Sequence, residues 1–124
     1  MYSHILIADD SATSRMIIQR CLQIVGLSDA TFYEAGDGIE ALDILTRHKE
    51  IDLIVTDINM PKMNGLDLLR HLKSDPRLKQ IPVIIISTES GQSTVMEAVE
   101  LGAAGFIRKP FTSDQIRDKL AAFC

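Results

Sequence analysis

Three aspartates, a serine and a lysine carry the chemistry of this sequence. Asp9 and Asp10 follow the apolar run Ile5-Leu6-Ile7-Ala8, and Asp57 follows Leu53-Ile54-Val55-Thr56. Ser87 follows Val83-Ile84-Ile85-Ile86, and Lys109 lies just beyond Gly105-Phe106-Ile107. A single aspartate at a strand end serves equally well as a helix cap or a turn residue. Three that converge are different, because carboxylates ~4 Å apart repel by about 4 kcal/mol at an intermediate effective dielectric. Such a cluster stays fully ionised only with a cation. Oxygen donors without a neighbouring His or Cys suit a hard divalent ion. Mg²⁺ fits best, since it takes one or two carboxylates, keeps several waters and bridges to phosphate. Lys109 could set an ammonium against a carboxylate or phosphoryl oxygen, and Ser87 could donate its hydroxyl to the same oxygen. Taken singly, these two are a solvated lysine and a strand-end serine. Pro110 after Lys109 restricts the lysine backbone and permits a cis bond.

These groups act together only if the elements beneath them bring the run ends side by side. Short apolar runs alternate with helical patterns. The first helix carries Met16, Ile17, Cys21, Ile24 and Val25 at helical spacing and stops at Gly26. Thr31 to Ala35 reads as a second, weaker strand. Asp37-Gly38 opens a helix with Ala41, Leu42 and Leu45 on one face. Leu66, Leu69 and Leu72 mark a third helix, closed by Asp75-Pro76 because a residue before proline disfavours the helical region. Val95, Met96, Val99 and Leu101 suggest a fourth helix ending at Gly102. Thr112 with Gln115 forms a capping box for a fifth helix bearing Ile116, Leu120 and Phe123.

Strands without polar alternation are buried on both faces. Strands alternating with helices imply a parallel sheet with right-handed crossovers. The expectation is one doubly wound α/β domain over residues 1–124, with a five-stranded parallel sheet and five helices. The flavodoxin-like order 2-1-3-4-5 is the natural choice at this size. Ligands of such sheets bind at the carboxyl ends of the strands, where the order reverses. That point lies between the first and third strands, which end in Asp9-Asp10 and Asp57.

Composition narrows the function classes. The 124 residues suffice for a core without a disulfide or metal staple, and 46% are hydrophobic. A net charge of −4 argues against direct binding of nucleic acid or an anionic membrane. The two cysteines, Cys21 and Cys124, form no C-x-x-C pair. The opening apolar run stops at Asp9, too short for a signal peptide, and no run approaches a membrane span of ~20 residues. A cytoplasmic domain is expected.

In this arrangement the sequence closely resembles the receiver domain of two-component response regulators, of the stand-alone CheY-like kind. The resemblance covers nearly the whole chain. It rests on Asp9-Asp10, Val55-Thr56-Asp57-Ile58-Asn59-Met60-Pro61 with Gly65, Ser87, and Lys109-Pro110-Phe111. It implies that Asp57 is the phosphoacceptor. Asp10 and Asp57 would ligate Mg²⁺, with Mn²⁺ as a substitute, joined by the Asn59 backbone carbonyl and by Asp9 through water. Lys109 would pair with the phosphoryl group, Ser87 would move toward it, and the Phe106 rotamer would follow. Asn59, Thr88 and Glu89 occupy positions that tune turnover. A histidine kinase or phosphotransfer protein would donate the phosphoryl group, since no glycine-rich phosphate loop is present to hold ATP. An output protein would read the face of the fourth helix, fifth strand and fifth helix. The chain would be a monomer, or a weak dimer dependent on phosphorylation, and not a multiple-turnover enzyme on an external substrate. It would work alone, as in chemotaxis, or as a receiver within a longer protein.

Two departures from the common pattern stand out. Thr88 is larger than the Ala or Gly expected there, and leaves open whether Ser87 or Thr88 is the switch hydroxyl. Phe106 stands where Tyr is frequent. Other functions fit less well. A flavodoxin would not place Asp9-Asp10 against a cofactor phosphate, and the chain has no tryptophan to stack on a flavin. A haloacid-dehalogenase-like phosphatase needs an aspartate where Asn59 stands. A calcium loop from Asp57 fails at Lys62 and Leu68. A binding module that has lost phosphorylation is the remaining alternative.

Overall fold

The computed structural model describes residues 2–122; Phe123 and Cys124, expected in the last helix and at the chain end, lie outside the described residues. Each apolar run forms a strand: β1 His4–Ala8, β2 Thr31–Ala35, β3 Leu53–Thr56, β4 Val83–Ser87 and β5 Gly105–Arg108. They form one sheet in the order β2-β1-β3-β4-β5, every neighbouring pair parallel, as the sequence pattern predicts. The connecting helices are α1 Ala12–Leu22, α2 Gly38–Arg47, α3 Gly65–Ser74, α4 Gln92–Glu100 and α5 Ser113–Ala121.

The strand period of two divides the sheet between two helical layers. Ile5, Ile7, Leu53, Val55, Ile84 and Ile86 pack with Ile18 and Leu22 of α1 and Ile116 and Leu120 of α5. Leu6, Ala8, Ile54, Val83 and Ile85 pack on the other face with residues of α2, α3 and α4 such as Leu45, Leu68 and Ala98. Fully burying one such aliphatic side chain is worth about 1.5–3 kcal/mol, so the central strands anchor the fold.

Helix starts follow their caps. Ser11, Asp37 and Asn64 each accept a hydrogen bond from a first-turn backbone N–H. Thr112 and Gln115 form the reciprocal capping box. Asp75 closes α3 as expected.

Two helices face the sheet differently from the sequence expectation. In α1, Met16 and Ile17 are exposed, while Ile18 and Leu22 are buried and Cys21 is half-buried. Beyond α1 the chain continues through a π-helical turn, Gln23–Leu27, where Ile24 is exposed and Gly26 takes φ 113°. In α4, Met96 and Val99 are exposed and Ala98 is buried. Both helices carry apolar residues on two sides. The side that meets the sheet is set by where the crossover lands, which local periodicity does not encode.

Candidate functional site

Register brings the acids together. Ala8 of β1 lies beside Thr56 of β3, so both strands release their next residues at the same level. The Asp57 N–H donates to the Ala8 carbonyl at 2.9 Å, and the Asp9 N–H to Ala35 at 2.9 Å. Asp9, Asp10 and Asp57 each then offer a carboxylate oxygen within 4.8 Å of the others. On the far side of β3, the Lys109 N–H donates to the Ser87 carbonyl at 2.9 Å, fixing where the lysine leaves β5. The Lys109–Pro110 peptide is cis.

The three carboxylates have different surroundings. Asp57 is 8% exposed, and its Oδ1 accepts from the Ile58 N–H at 2.6 Å. Its Oδ2 accepts from Lys109 Nζ at 3.1 Å. Asp9, 1% exposed, is held on both oxygens: Oδ1 by the Ser11 N–H at 2.9 Å, Oδ2 by the Ser14 hydroxyl at 2.6 Å and Lys109 Nζ at 2.8 Å. Asp10 is exposed and makes no hydrogen bond among the described residues. Asn59 is exposed two residues past Asp57.

Charge pairing outweighs desolvation here. Burial by itself would raise the Asp9 pKa, but the bonds from Lys109, Ser14 and the Ser11 N–H hold it below the ordinary carboxylate range. Burial would likewise lower the Lys109 pKa, and its bonds to Asp9 and Asp57 raise it instead. One ammonium among three carboxylates leaves the cluster with excess negative charge. The donor set is hard oxygen throughout, with one acid, Asp10, meeting no partner among the described residues. It fits a small divalent cation of the Mg²⁺ type.

Backbone packing holds Asp57 in place. A Cβ added to Gly65 would lie 1.9 Å from the Asp57 carbonyl oxygen, closer than atoms can approach. The Gly65 N–H donates to the Ile58 carbonyl at 2.8 Å, so α3 begins directly against the loop that carries Asp57. Only a residue without a side chain allows that approach.

Ser87 is buried at the end of β4, its Oγ accepting from the Glu89 N–H at 3.0 Å. Ile85 belongs to the layer of α2, α3 and α4, so strand alternation puts Ser87 on that same face. Phe106, paired with Ile85, packs into that layer too. Thr88 is exposed. It lines a surface cavity of about 550 Å³ with Ser11, Ser14, Lys109 and Phe111. The sequence reading missed Ser14 and Arg15. Arg15 donates to the Asp9 carbonyl at 2.6 Å and pairs with Glu34 at 2.8 Å, tying the acidic pair to β2. The available signal was a hydroxyl-rich first helical turn directly after two acids.

The chain is similar to known proteins. A sequence model of the family described as "Response regulator receiver domain" matches residues 5–121. The chemotaxis protein CheY1 of Helicobacter pylori is 42% identical over 94% of this chain and 92% of its own. CheY-3 of Vibrio cholerae is 40% identical over 94% of this chain and 87% of its own. The chemotaxis response regulator CheY4 of Vibrio cholerae superposes with a TM-score of 0.84 at 27% identity, over 98% of both chains. The phosphorylated cyanobacterial phytochrome response regulator RcpA superposes at 0.82 with 26% identity, covering 98% of this chain and 91% of that one. Sheet order, acid cluster and sequence matches converge: this chain belongs to the response regulator receiver domain family.

Proposed function

We propose that this receiver domain, as residues 1–124, accepts a phosphoryl group on Asp57 and relays that event to a partner. The observation that carries it is the division of the Asp57 carboxylate. Oδ1 is tied to the Ile58 N–H, while Oδ2 faces Lys109 beside two further carboxylates. Oδ2 is the nucleophile. It forms the O–P bond as the P–N bond of a phosphohistidine donor breaks and the imidazole leaves. Lys109 then turns its hydrogen from the carboxylate to a phosphoryl oxygen, neutralising charge there.

Asp10, Asp57 and the Asn59 carbonyl would hold Mg²⁺, or Mn²⁺ in its place, with Asp9 acting through water. The double hold on Asp9 and the freedom of Asp10 support that division. Bound there, the ion supplies positive charge to the phosphoryl oxygens. The donor is a histidine kinase or a phosphotransfer protein.

Ser87, rather than Thr88, is the switch hydroxyl. It is buried on the face that Phe106 shares, whereas Thr88 is exposed. Its oxygen accepts from Glu89, which leaves its proton free to donate to a phosphoryl oxygen. Phe106 would follow into the vacated space, altering the α4-β5-α5 face for an output protein. Met96 and Val99, 53% and 61% exposed on α4, support a partner surface there. Asn59, Thr88 and Glu89 are all exposed, where they would tune hydrolysis. The chemotaxis proteins among the relatives support an output in chemotaxis. No helix of the described residues is long and apolar enough to cross a membrane. The domain would act in the cytoplasm, as a monomer or a weak phosphorylation-dependent dimer.

The test is incubation with a small phosphodonor and Mg²⁺, followed by mass spectrometry. A phosphoryl adduct is expected that disappears with chelator and in Asp57→Ala. No adduct in the unaltered protein would leave the binding module that has lost phosphorylation as the function.

A further inference from the structure

The Lys109 ammonium has a third partner besides the two acids. Its Nζ lies 2.8 Å from Asp9 Oδ2, 3.1 Å from Asp57 Oδ2 and 3.0 Å from Ser14 Oγ. An ammonium has three hydrogens and no acceptor capacity, so these three contacts use all of them. Ser14 must therefore accept from Lys109, and its own proton goes to Asp9 Oδ2, 2.6 Å away. The hydroxyl direction follows from chemistry alone.

We infer that Ser14 is a positioning residue for phosphoryl transfer, acting through Lys109. This rests on the phosphorylation of Asp57 proposed above. At transfer, Lys109 gives up Asp57 Oδ2, because that oxygen becomes bonded to phosphorus. The hydrogen so released must find a phosphoryl oxygen while the other two stay engaged. Ser14 and Asp9 are those two anchors. Ser14 is uncharged and sits on the first turn of α1, whose start is fixed by the Ser11 cap. It thus holds the ammonium from the helix side without adding charge to the cluster. Without its lone pair, the ammonium is anchored by carboxylates alone and settles toward them, away from the incoming phosphoryl group. Small misplacements of such a group cost catalytic rate steeply.

Ser14→Ala removes the hydroxyl and keeps the helix, because the cap bond uses the Ser14 backbone N–H rather than its side chain. Phosphorylation by acetyl phosphate would be followed for the unaltered protein, Ser14→Ala and Ser14→Thr across a Mg²⁺ series. Mg²⁺ binding by each unphosphorylated protein would be measured by calorimetry. The expected result is a saturating rate lowered about tenfold in Ser14→Ala and restored in Ser14→Thr, with the Mg²⁺ dissociation constant changed less than about threefold. An unchanged rate in Ser14→Ala overturns the inference. So does an equal loss in Ser14→Thr, or a parallel loss of rate and Mg²⁺ affinity, either of which points to packing rather than to the hydroxyl. If the unaltered protein takes no phosphoryl group, the proposed function fails first and is distinguished by that.

Discussion

Asp52 and Asp57 bracket the same strand, β3, and are used in opposite ways. At its amino end, Asp52 Oδ2 accepts from the Ser3 N–H at 2.9 Å and Oδ1 from the His4 N–H at 3.1 Å. Its own N–H donates to the His4 carbonyl at 2.9 Å, so the residue fastens β3 to the start of β1. Its charge is met entirely by backbone donors. At the carboxyl end, Asp57 receives one backbone donor and otherwise faces other charges: one ammonium and two carboxylates. The residue type is identical and the strand is shared. One acid is met by backbone donors; the other shares a single ammonium with a second carboxylate and lies beside a third.

The comparison breaks most sharply on function. Asp57→Ala is expected to abolish the phosphoryl adduct, while Asp52→Ala leaves the phosphorylation rate within about twofold, since it touches nothing in the site. A comparable loss in Asp52→Ala, read by the same mass spectrometry, would show that the two ends are not separable.

Next in size is Gly65→Ala. The added Cβ meets backbone rather than a flexible side chain, so the Asp57 loop itself must move. A loss of about 2–4 kcal/mol in denaturant unfolding is expected, together with slower phosphorylation. Retention of both would mean that the loop yields freely and that the site is not held by this contact.

Asp52→Ala should then cost about 1–2 kcal/mol, the scale for hydrogen bonds to a charged acceptor at a partly exposed site. Equal stability of variant and parent in urea titration would remove its structural role.

The smallest effect concerns pH. Because the folded Asp9 pKa is depressed, its ionised form adds stability that is complete above the unfolded value near 3.8 and is lost as pH falls through the folded value. Lys109 supplies part of that depression. Lys109→Met should therefore shift the acid limb of unfolding, followed by circular dichroism, to higher pH by a fraction of a unit. An unmoved limb would assign the depression to Ser14 and the Ser11 N–H alone.

Much of this was legible beforehand because the relevant signals are local. Unbroken apolar runs such as Val83 to Ile86 leave no polar side to expose, so they must be central strands. Asp37 and Thr112 before helical patterns cap those helices wherever they are placed, and Ser11 and Asn64 do the same without having been singled out. Asp9, Asp10 and Asp57 follow strands directly, and parallel order then forces them to one edge. The faces of α1 and α4 were misread because Met16, Ile17, Met96 and Val99 form a second apolar stripe, and periodicity alone cannot rank two stripes.

The strands, the helix starts at Asp37 and Thr112, and the placing of three acids directly after strands follow from residue type at short range; the sheet order that gathers those acids at one edge is a property of the folded chain. Folding also decided how those acids are held. Ser11 and Ser14 hold Asp9 from close by in the chain, but the ammonium that Asp9 shares with Asp57 comes from Lys109, 100 and 52 residues further along, while Asp10 meets no partner among the described residues. Ser14 gains its place in that network for the same reason: a hydroxyl in a helix's first turn acquires a role only when the fold sets an ammonium 3.0 Å away.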